Sequence, residues 1–359
     1  MANILPNGKQ SISRRDFIKL SLLGLSGLGF IKFPLPQDAY EVPTNVIGRV
    51  TVDRVAPIFE ESRFNSSIIR YTQKDELLNI YYELTPIEGP VYNPHWYRVW
   101  GGYIHSAYVQ RTYIRFNDPL DKIPQNNQLA EVTVPFTQAF RYSNQDGWTK
   151  AYRLYYLTTH WITNIAEGPD GQAWYELTSE VDKYLKYYVP AHHLRPIPDE
   201  EISPISPELP YAAKHIEVSL SKQYLTAYEE DNIVYGTKIS SGLPGREVPD
   251  GTQTPKGRFH ITSKMPSKHM GTIEASGAPE GYTLPGVPWT SFFIFESGVA
   301  FHGTFWHDNF GMPMSHGCIN MRTEDAKWLF RWVSPIYKTP IKSSEDWDVR
   351  GYGTQVIIH

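Results

Sequence analysis

"AFHGTFWHDNFGMPMSHGCINMR", Ala300 to Arg322, gathers His302, His307, His316 and Cys318 within seventeen residues of one another. Cys318 is the only cysteine in the 359-residue chain. A free thiol titrates near pH ~8.5 and is only a few per cent ionised at neutral pH, so a cysteine nucleophile needs a base within hydrogen-bond reach. His302 ends a short stretch of strand character, "VAFHG" (Val299 to Gly303), and a loop separates it from Cys318. That arrangement lets imidazole and thiol meet face to face. His316 lies two residues before Cys318, on the same side in an extended chain, but the intervening Gly317 favours a turn. Gly317 also lets a substrate approach the backbone, and the N–H groups of Gly317 and Cys318 are candidates for holding an oxyanion.

Other readings of the same residues are weaker. A Gly-Cys turn beside two histidines is a poor apolar packing site for an inert cysteine. Histidine and thiolate suit zinc, but an i, i+2 pair across glycine has no familiar zinc-ligand spacing. His307, followed by Asp308, reads as a solvated loop residue, or otherwise as one that borders the substrate cleft.

Working outward, "HIEVSL" (His215 to Leu220) alternates strictly, and "YLTAY", "IVYGTKIS", "GRFHITSK" and "WTSFFIF" add strands between Tyr224 and Phe295. "TEDAKWLFRWV" (Thr323 to Val333) reads as a helix. Thr323 is placed to N-cap it, Glu324 and Asp325 suit its positive end, and Pro335 stops it. Ala326, Leu329, Phe330 and Val333 form one apolar stripe, and Trp328 and Trp332 read as packing residues.

The pattern "HG…SHGCIN", with "IEVSLSKQYLTAYE", "ISSGLPG" and "TPKGRFHI" in order before it, resembles the L,D-transpeptidase catalytic domain, the YkuD-type fold. The resemblance covers Lys214 to about Lys342. It implies a mainly β catalytic domain with one or two short helices, acting on peptidoglycan stem peptides. A cysteine thioester forms as D-alanine leaves a donor tetrapeptide, and an amine of another stem peptide then takes the acyl group. Carried onto this chain, it makes Cys318 the nucleophile and His302 the general base, with the carbonyl of Gly303 orienting that base. His316 is expected to shape the oxyanion pocket with the Gly317 N–H, Asn320 to hold the active-site loop, and Ser315 to fix the turn. Ser315, Asn320, Tyr282 and Trp289 are the candidate substrate-side residues, and the Gly- and Pro-rich segment Met265 to Val287 corresponds to a flexible lid. No metal and no cofactor is implied.

Before this domain the chain carries two series of short strand-like segments, about 40–120 and 121–198, which echo one another. "WYRVWGGYIHSAYVQ" and "WYEL…YYVPAHHLR" each place an aromatic strand before a Tyr-Val element with histidine close by. They resemble SH3-like β-barrels, either two modules or one larger β-domain, and are expected to offer glycan or peptide contacts. His192 and His193 read as structural. "PIPDEEISPISPELP" (Pro196 to Pro210) lacks apolar periodicity and reads as a linker, placed at 199–212, ahead of a catalytic domain at 213–359.

"SRRDFIKLSLLGLSGLGFIKF" (Ser13 to Phe33) runs from paired arginines into a twelve-residue apolar stretch, too short for the roughly 20 residues of a membrane span. Residues 1–39 resemble a twin-arginine export signal. With no small-x-small cleavage site after Phe33, retention as a membrane anchor is the expected alternative to cleavage. In an oxidising compartment a lone thiol is either a chance survivor or reactive. The net charge is −4; the first 39 residues hold five basic and two acidic residues, which leaves −7 on the body. That balance gives no footprint for nucleic acid. With 24 Tyr, 16 Phe and 10 Trp against 28 Pro and 26 Gly, short strands and many turns are expected, hence a mainly β protein. A peptidoglycan cross-linking enzyme is the leading expectation. An L,D-carboxypeptidase, a wall-protein attachment enzyme, a zinc-dependent peptidase and a catalytically dead wall-binding protein are the alternatives.

Overall fold

The computed structural model describes residues 39–41, 45–87, 89–124, 127–182, 184–271, 283–341 and 344–359. The stretch expected to be an export signal, Ser13 to Phe33, and Tyr282 lie outside the described residues. The protein is mainly β, with 48% strand and 9% helix among the described residues.

The C-terminal part is built from two five-stranded sheets. The first holds β1 (Lys214–Ser219), β2 (Tyr224–Glu229), β3 (Asn232–Lys238), β4 (Gly257–His260) and the final strand β10 (Gln355–Ile358). Its order is β3-β2-β1-β10-β4, with β10 parallel to β1. The second holds β5 (Ser263–Gly271), β6 (Thr283–Ile294), β7 (Val299–Gly303), β8 (Ile319–Met321) and β9 (Val349–Arg350). Its order is β8-β7-β6-β5-β9, with β7 and β8 parallel. Strand alternation sends Ile216, Val218, Leu225 and Ala227 from the first sheet, and Phe293, Phe301, Ile319 and Met321 from the second, into one core.

Helix α1 (Thr323–Trp332) closes that core with Ala326, Leu329 and Phe330. It starts at Thr323 itself, so Thr323 is the first helical residue and not the cap; no side chain caps the N-terminus. Instead Asp325 is buried and accepts hydrogen bonds from Tyr235 Oη (2.6 Å) and Thr237 Oγ1. The other end meets two buried lysines. Lys264 Nζ donates to the carbonyls of Phe330 (2.6 Å) and Val333 (2.8 Å), and Lys214 Nζ to that of Trp332 (3.0 Å). A helix C-terminus leaves its last carbonyls unpaired, and the two lysine nitrogens supply the missing donors, although burial pushes both side chains down in pKa, Lys264 strongly. Trp289, expected near substrate, is a core residue: it is 1% exposed, packs edge-on against Phe330 and lies under Lys327. Its large apolar ring is stabilised there rather than in a wet cleft.

Two β-rich modules precede this domain, each with its own core. Val50, Ile58, Ile104 and Val109 belong to the first, and Val132, Leu154, Tyr175 and Val189 to the second. The sequence echo has a structural counterpart. Gly102–His105, a 3₁₀ turn at Ser106–Tyr108 and Val109–Tyr113 match Tyr187–Pro190, a 3₁₀ turn at Ala191–His193 and Leu194–Pro196. His193 is structural in its placement, sharing a 2.8 Å hydrogen bond with Thr137 Oγ1.

The Pro-rich stretch departs from the expectation of a free linker. It contains a short helix, Asp199–Ile202, and Ile202 is buried in the C-terminal core. Glu201 bridges Arg195 and Lys327, and the Ile205 N–H donates to the Arg331 carbonyl at 3.0 Å. The segment is packed along α1. The expected lid departs too. Its described ends lie in β5 and β6, which pair from Ser263↔Phe292 to Gly271↔Thr283, so they are hydrogen-bonded strand rather than loop. The second module braces them. Thr159 Oγ1 donates to the Pro266 carbonyl (2.7 Å), Ser267 Oγ to the Thr159 carbonyl (2.6 Å), and Glu180 receives Lys268 Nζ (2.7 Å).

Removing the amino group of Lys264 leaves two buried carbonyls unpaired. Lys264→Met is therefore expected to lower stability by roughly 2–4 kcal/mol in denaturant titration. A loss below about 0.5 kcal/mol would show that the lysine does not cap the helix.

Candidate active site

In β7 and β8 the parallel register places Phe301 beside Ile319, His302 beside Asn320 and Gly303 beside Met321. Phe301, Ile319 and Met321 point into the core. Alternation therefore sends His302, Asn320 and, one step before β8, Cys318 to the opposite face. His302 and Cys318 are diagonal neighbours on that face, the relation in which side chains of adjacent strands can still touch.

His302 is buried, and its Nδ1 lies 3.1 Å from the carbonyl of Gly303. A carbonyl only accepts, so Nδ1 carries the proton and Nε2 is left with its lone pair. Burial pushes the imidazole down to about 4, against a smaller opposing effect of the Gly303 carbonyl. The thiol of Cys318 donates to the Gly298 carbonyl at 3.5 Å, and the Ala300 N–H faces the sulfur. Although the residue is only partly buried, desolvation at the sulfur pushes the thiol up to about 11. Both groups rest neutral, on one face of the paired strands.

The turn carrying Cys318 is tied down from three directions. Ser315 Oγ donates to the Cys318 carbonyl at 2.5 Å and accepts the Gly317 N–H at 3.2 Å. Thr254 Oγ1 donates to the Gly317 carbonyl (2.8 Å), and the Gly242 N–H donates in turn to Thr254 Oγ1 (2.8 Å). Ser240 exchanges main-chain bonds of 2.9 and 2.8 Å with Asn320. The segments "ISSGLPG" and "TPKG" thus converge on the nucleophile turn. Gly317 has φ +122°, and a Cβ there would come within 2.5 Å of Val248 Cγ1, so only glycine fits.

The expected residues divide. Cys318, His302, Gly303, Gly317 and Asn320 come together. The Gly317 N–H is engaged by Ser315, and the Cys318 N–H donates to no acceptor among the described residues. Ser315 is spent within the turn rather than turned to a substrate. The His316 side chain is exposed rather than enclosed in a pocket. Trp289 sits in the core, as described above. Among the described residues, no group of three His, Cys, Asp or Glu side chains converges to hold a metal ion.

His307 departs from the reading of a solvated loop residue. It is buried, not solvated, with Nδ1 accepting the Asn309 N–H (3.2 Å) and Nε2 lying 2.9 Å from the Asn320 side-chain amide. Burial, and then the nearby His302, push its pKa down to about 3, so the ring is neutral. With Nδ1 accepting, its proton is on Nε2, and the Asn320 amide must present its oxygen there. Asp308 and Asn309 beside it imitate a solvated loop, and the sequence held no other signal.

Residues 213–358 match the YkuD family model, described as the L,D-transpeptidase catalytic domain. No curated protein matches the chain. Among solved structures, the chain is similar to the catalytic domain of an E. faecium L,D-transpeptidase, at 25% identity over 41% of this chain and 96% of that one (TM-score 0.29). It is also similar to the L,D-transpeptidase of Mycobacterium smegmatis, at 18% identity over 68% and 88% (TM-score 0.31). The likeness to residues 123–326 of the Xylanimonas cellulosilytica enzyme is 24% identity over 43% of this chain and 63% of that one (TM-score 0.28).

The protonation states make a testable statement. Because the folded thiol titrates at about 11, alkylation of Cys318 by iodoacetamide is expected to quicken about tenfold per pH unit from 7 to 10. A rate already level by pH 7 would mean a preformed thiolate–imidazolium pair.

Proposed function

We propose that residues 213–358, an L,D-transpeptidase catalytic domain of the YkuD family, transfer the acyl group of a peptidoglycan stem tetrapeptide through a thioester on Cys318. The observation that carries this reading is the shared face of β7 and β8, with the His302 Nδ1–H held by the Gly303 carbonyl. That bond fixes the tautomer, so Nε2 is the free base.

Sulfur attacks the carbonyl of the third residue as His302 Nε2 takes the thiol proton. Charge passes to the carbonyl oxygen, for which the uncommitted Cys318 N–H is the donor. Collapse of the intermediate breaks the bond to D-alanine, whose amine leaves with the proton from His302. An amine of a second stem peptide then attacks the thioester. His302 takes a proton from that amine and returns it to the departing sulfur, so the site ends as it began. A neutral imidazole is what a base requires, and the depressed pKa of His302 keeps it neutral down to about pH 4. The twin-arginine-type stretch at residues 13–33 fits delivery to the envelope, where such a substrate lies.

Purified protein incubated with stem tetrapeptides is expected to release D-alanine and form dimers, and Cys318→Ala to lose both, at least about 10³-fold. Release without dimers would assign hydrolysis as the reaction. Neither product would count against the proposal.

A further inference from the structure

The two N-terminal modules read from sequence as wall-binding attachments, yet the first one reaches into the loop that joins the base to the nucleophile. We propose that Arg49 and Asn93 of this module are positioning residues of the cysteine site, gripping the Thr304–Gly311 loop on either side of His307. The inference rests on the cysteine chemistry proposed above.

Arg49 is 1% exposed. Its Nη1 pairs with Asp75 (2.8 Å), and Nε and Nη2 share Gln110 Oε1 (3.1 and 2.8 Å). Nη2 also donates to the main-chain carbonyl of Phe305 at 2.5 Å, across the boundary between module and catalytic domain. The second module completes the junction. Tyr155 lies under the guanidinium (4.2 Å) and stacks on Phe305 (5.1 Å), while Arg153 holds the other oxygen of Asp75 (2.5 Å). Burying a charge is costly, and an apolar contact would serve adhesion at least as well. What the guanidinium supplies is direction: a planar fork fixed by three partners and aimed at one carbonyl.

The second grip is independent of the first. Asn93 is buried, with its oxygen held by Ser106 Oγ (2.9 Å). Its NH₂ donates to the Asp308 carbonyl (3.1 Å) and to Asn309 Oδ1 (3.2 Å). Asn309 is the residue whose N–H fixes the His307 ring, and His307 meets Asn320, two residues from Cys318. On the other side, Phe305 packs edge-on against Trp306, whose ring lies 5.6 Å from that of His302. The loop thus touches the base through Trp306 and the nucleophile strand through His307, and the module holds it at both points. A misplacement of the order of 1 Å in such a site costs up to about 10²-fold in rate.

The test uses the full chain with Asn93→Ala and Arg49→Lys, the latter keeping charge against Asp75 but not the fork that reaches Phe305. Arg63→Met, at an exposed arginine of the same module, is the control. Two readouts are taken: turnover of stem tetrapeptide, and hydrogen exchange of the loop amides. Both variants are expected to lower kcat about tenfold with KM within about twofold, and to speed exchange over 304–314 about tenfold while α1 is unchanged. Unaltered loop exchange, a change in KM alone, or equal loss in the control would overturn the proposal. If the wild-type protein turns over no peptide, the cysteine reading fails by itself, and the exchange data alone decide whether the module grips the loop.

Discussion

Parallel pairing of β7 with β8 is the constraint from which the rest of the C-terminal domain follows. Two adjacent parallel strands cannot be joined by a tight turn; the chain must leave one end and return to the other, which takes a dozen residues or more. Here the return path is the segment between Gly303 and Ile319, and it carries no strand or helix of its own. A connection that long has to be held from outside if it is to place a nucleophile beside a base. Ser240, Gly242 and Thr254 hold its far end at the Cys318 turn, and the first N-terminal module holds its near end at Phe305 and Asp308. The surrounding domains thereby become part of the site's geometry.

The same burial that orders the site also sets its resting chemistry. Desolvation moves Cys318 and His302 in opposite directions, the thiol up and the imidazole down, so charge separation between them is unfavourable before substrate arrives. An unpaired thiol would otherwise be open to oxidation and disulfide exchange, both of which need thiolate. A neutral pair resists them, and in the proposed reaction proton transfer accompanies attack on the carbonyl.

Much of this could be read in the sequence. The alternation in "HIEVSL", the stripe of Ala326, Leu329 and Phe330, and the two echoing β segments are local patterns, and local patterns survive into the fold. That His302 ends a strand and Cys318 follows a glycine turn was legible because a strand end and a Gly-Cys turn are also local. What escaped was set by partners distant in the chain. His307 looked solvated because its neighbours are polar, but Asn93, 216 residues from Asn309, satisfies them. The Pro-rich segment had the composition of a linker, while Ile202 and Ile205 were enough to seat it against α1. An aromatic residue such as Trp289 carries no sign of whether its ring faces a cleft or a core. Lys214 and Lys264 occupy inward positions that a hydrophobic pattern reserves for apolar side chains, and the carbonyls they meet, at the helix end and for Lys214 also at Ile205 and Ser206, explain them.

The proposed chemistry is a covalent bond that forms at one sulfur and is relieved by an amine. Intact mass of the protein after brief exposure to a stem tetrapeptide, with no acceptor added, tests it most directly. A gain equal to the donor less D-alanine, located on Cys318 and absent from Cys318→Ser, is the result predicted. A protein that consumes the donor with its mass unchanged, or carries the adduct at another residue, would contradict it.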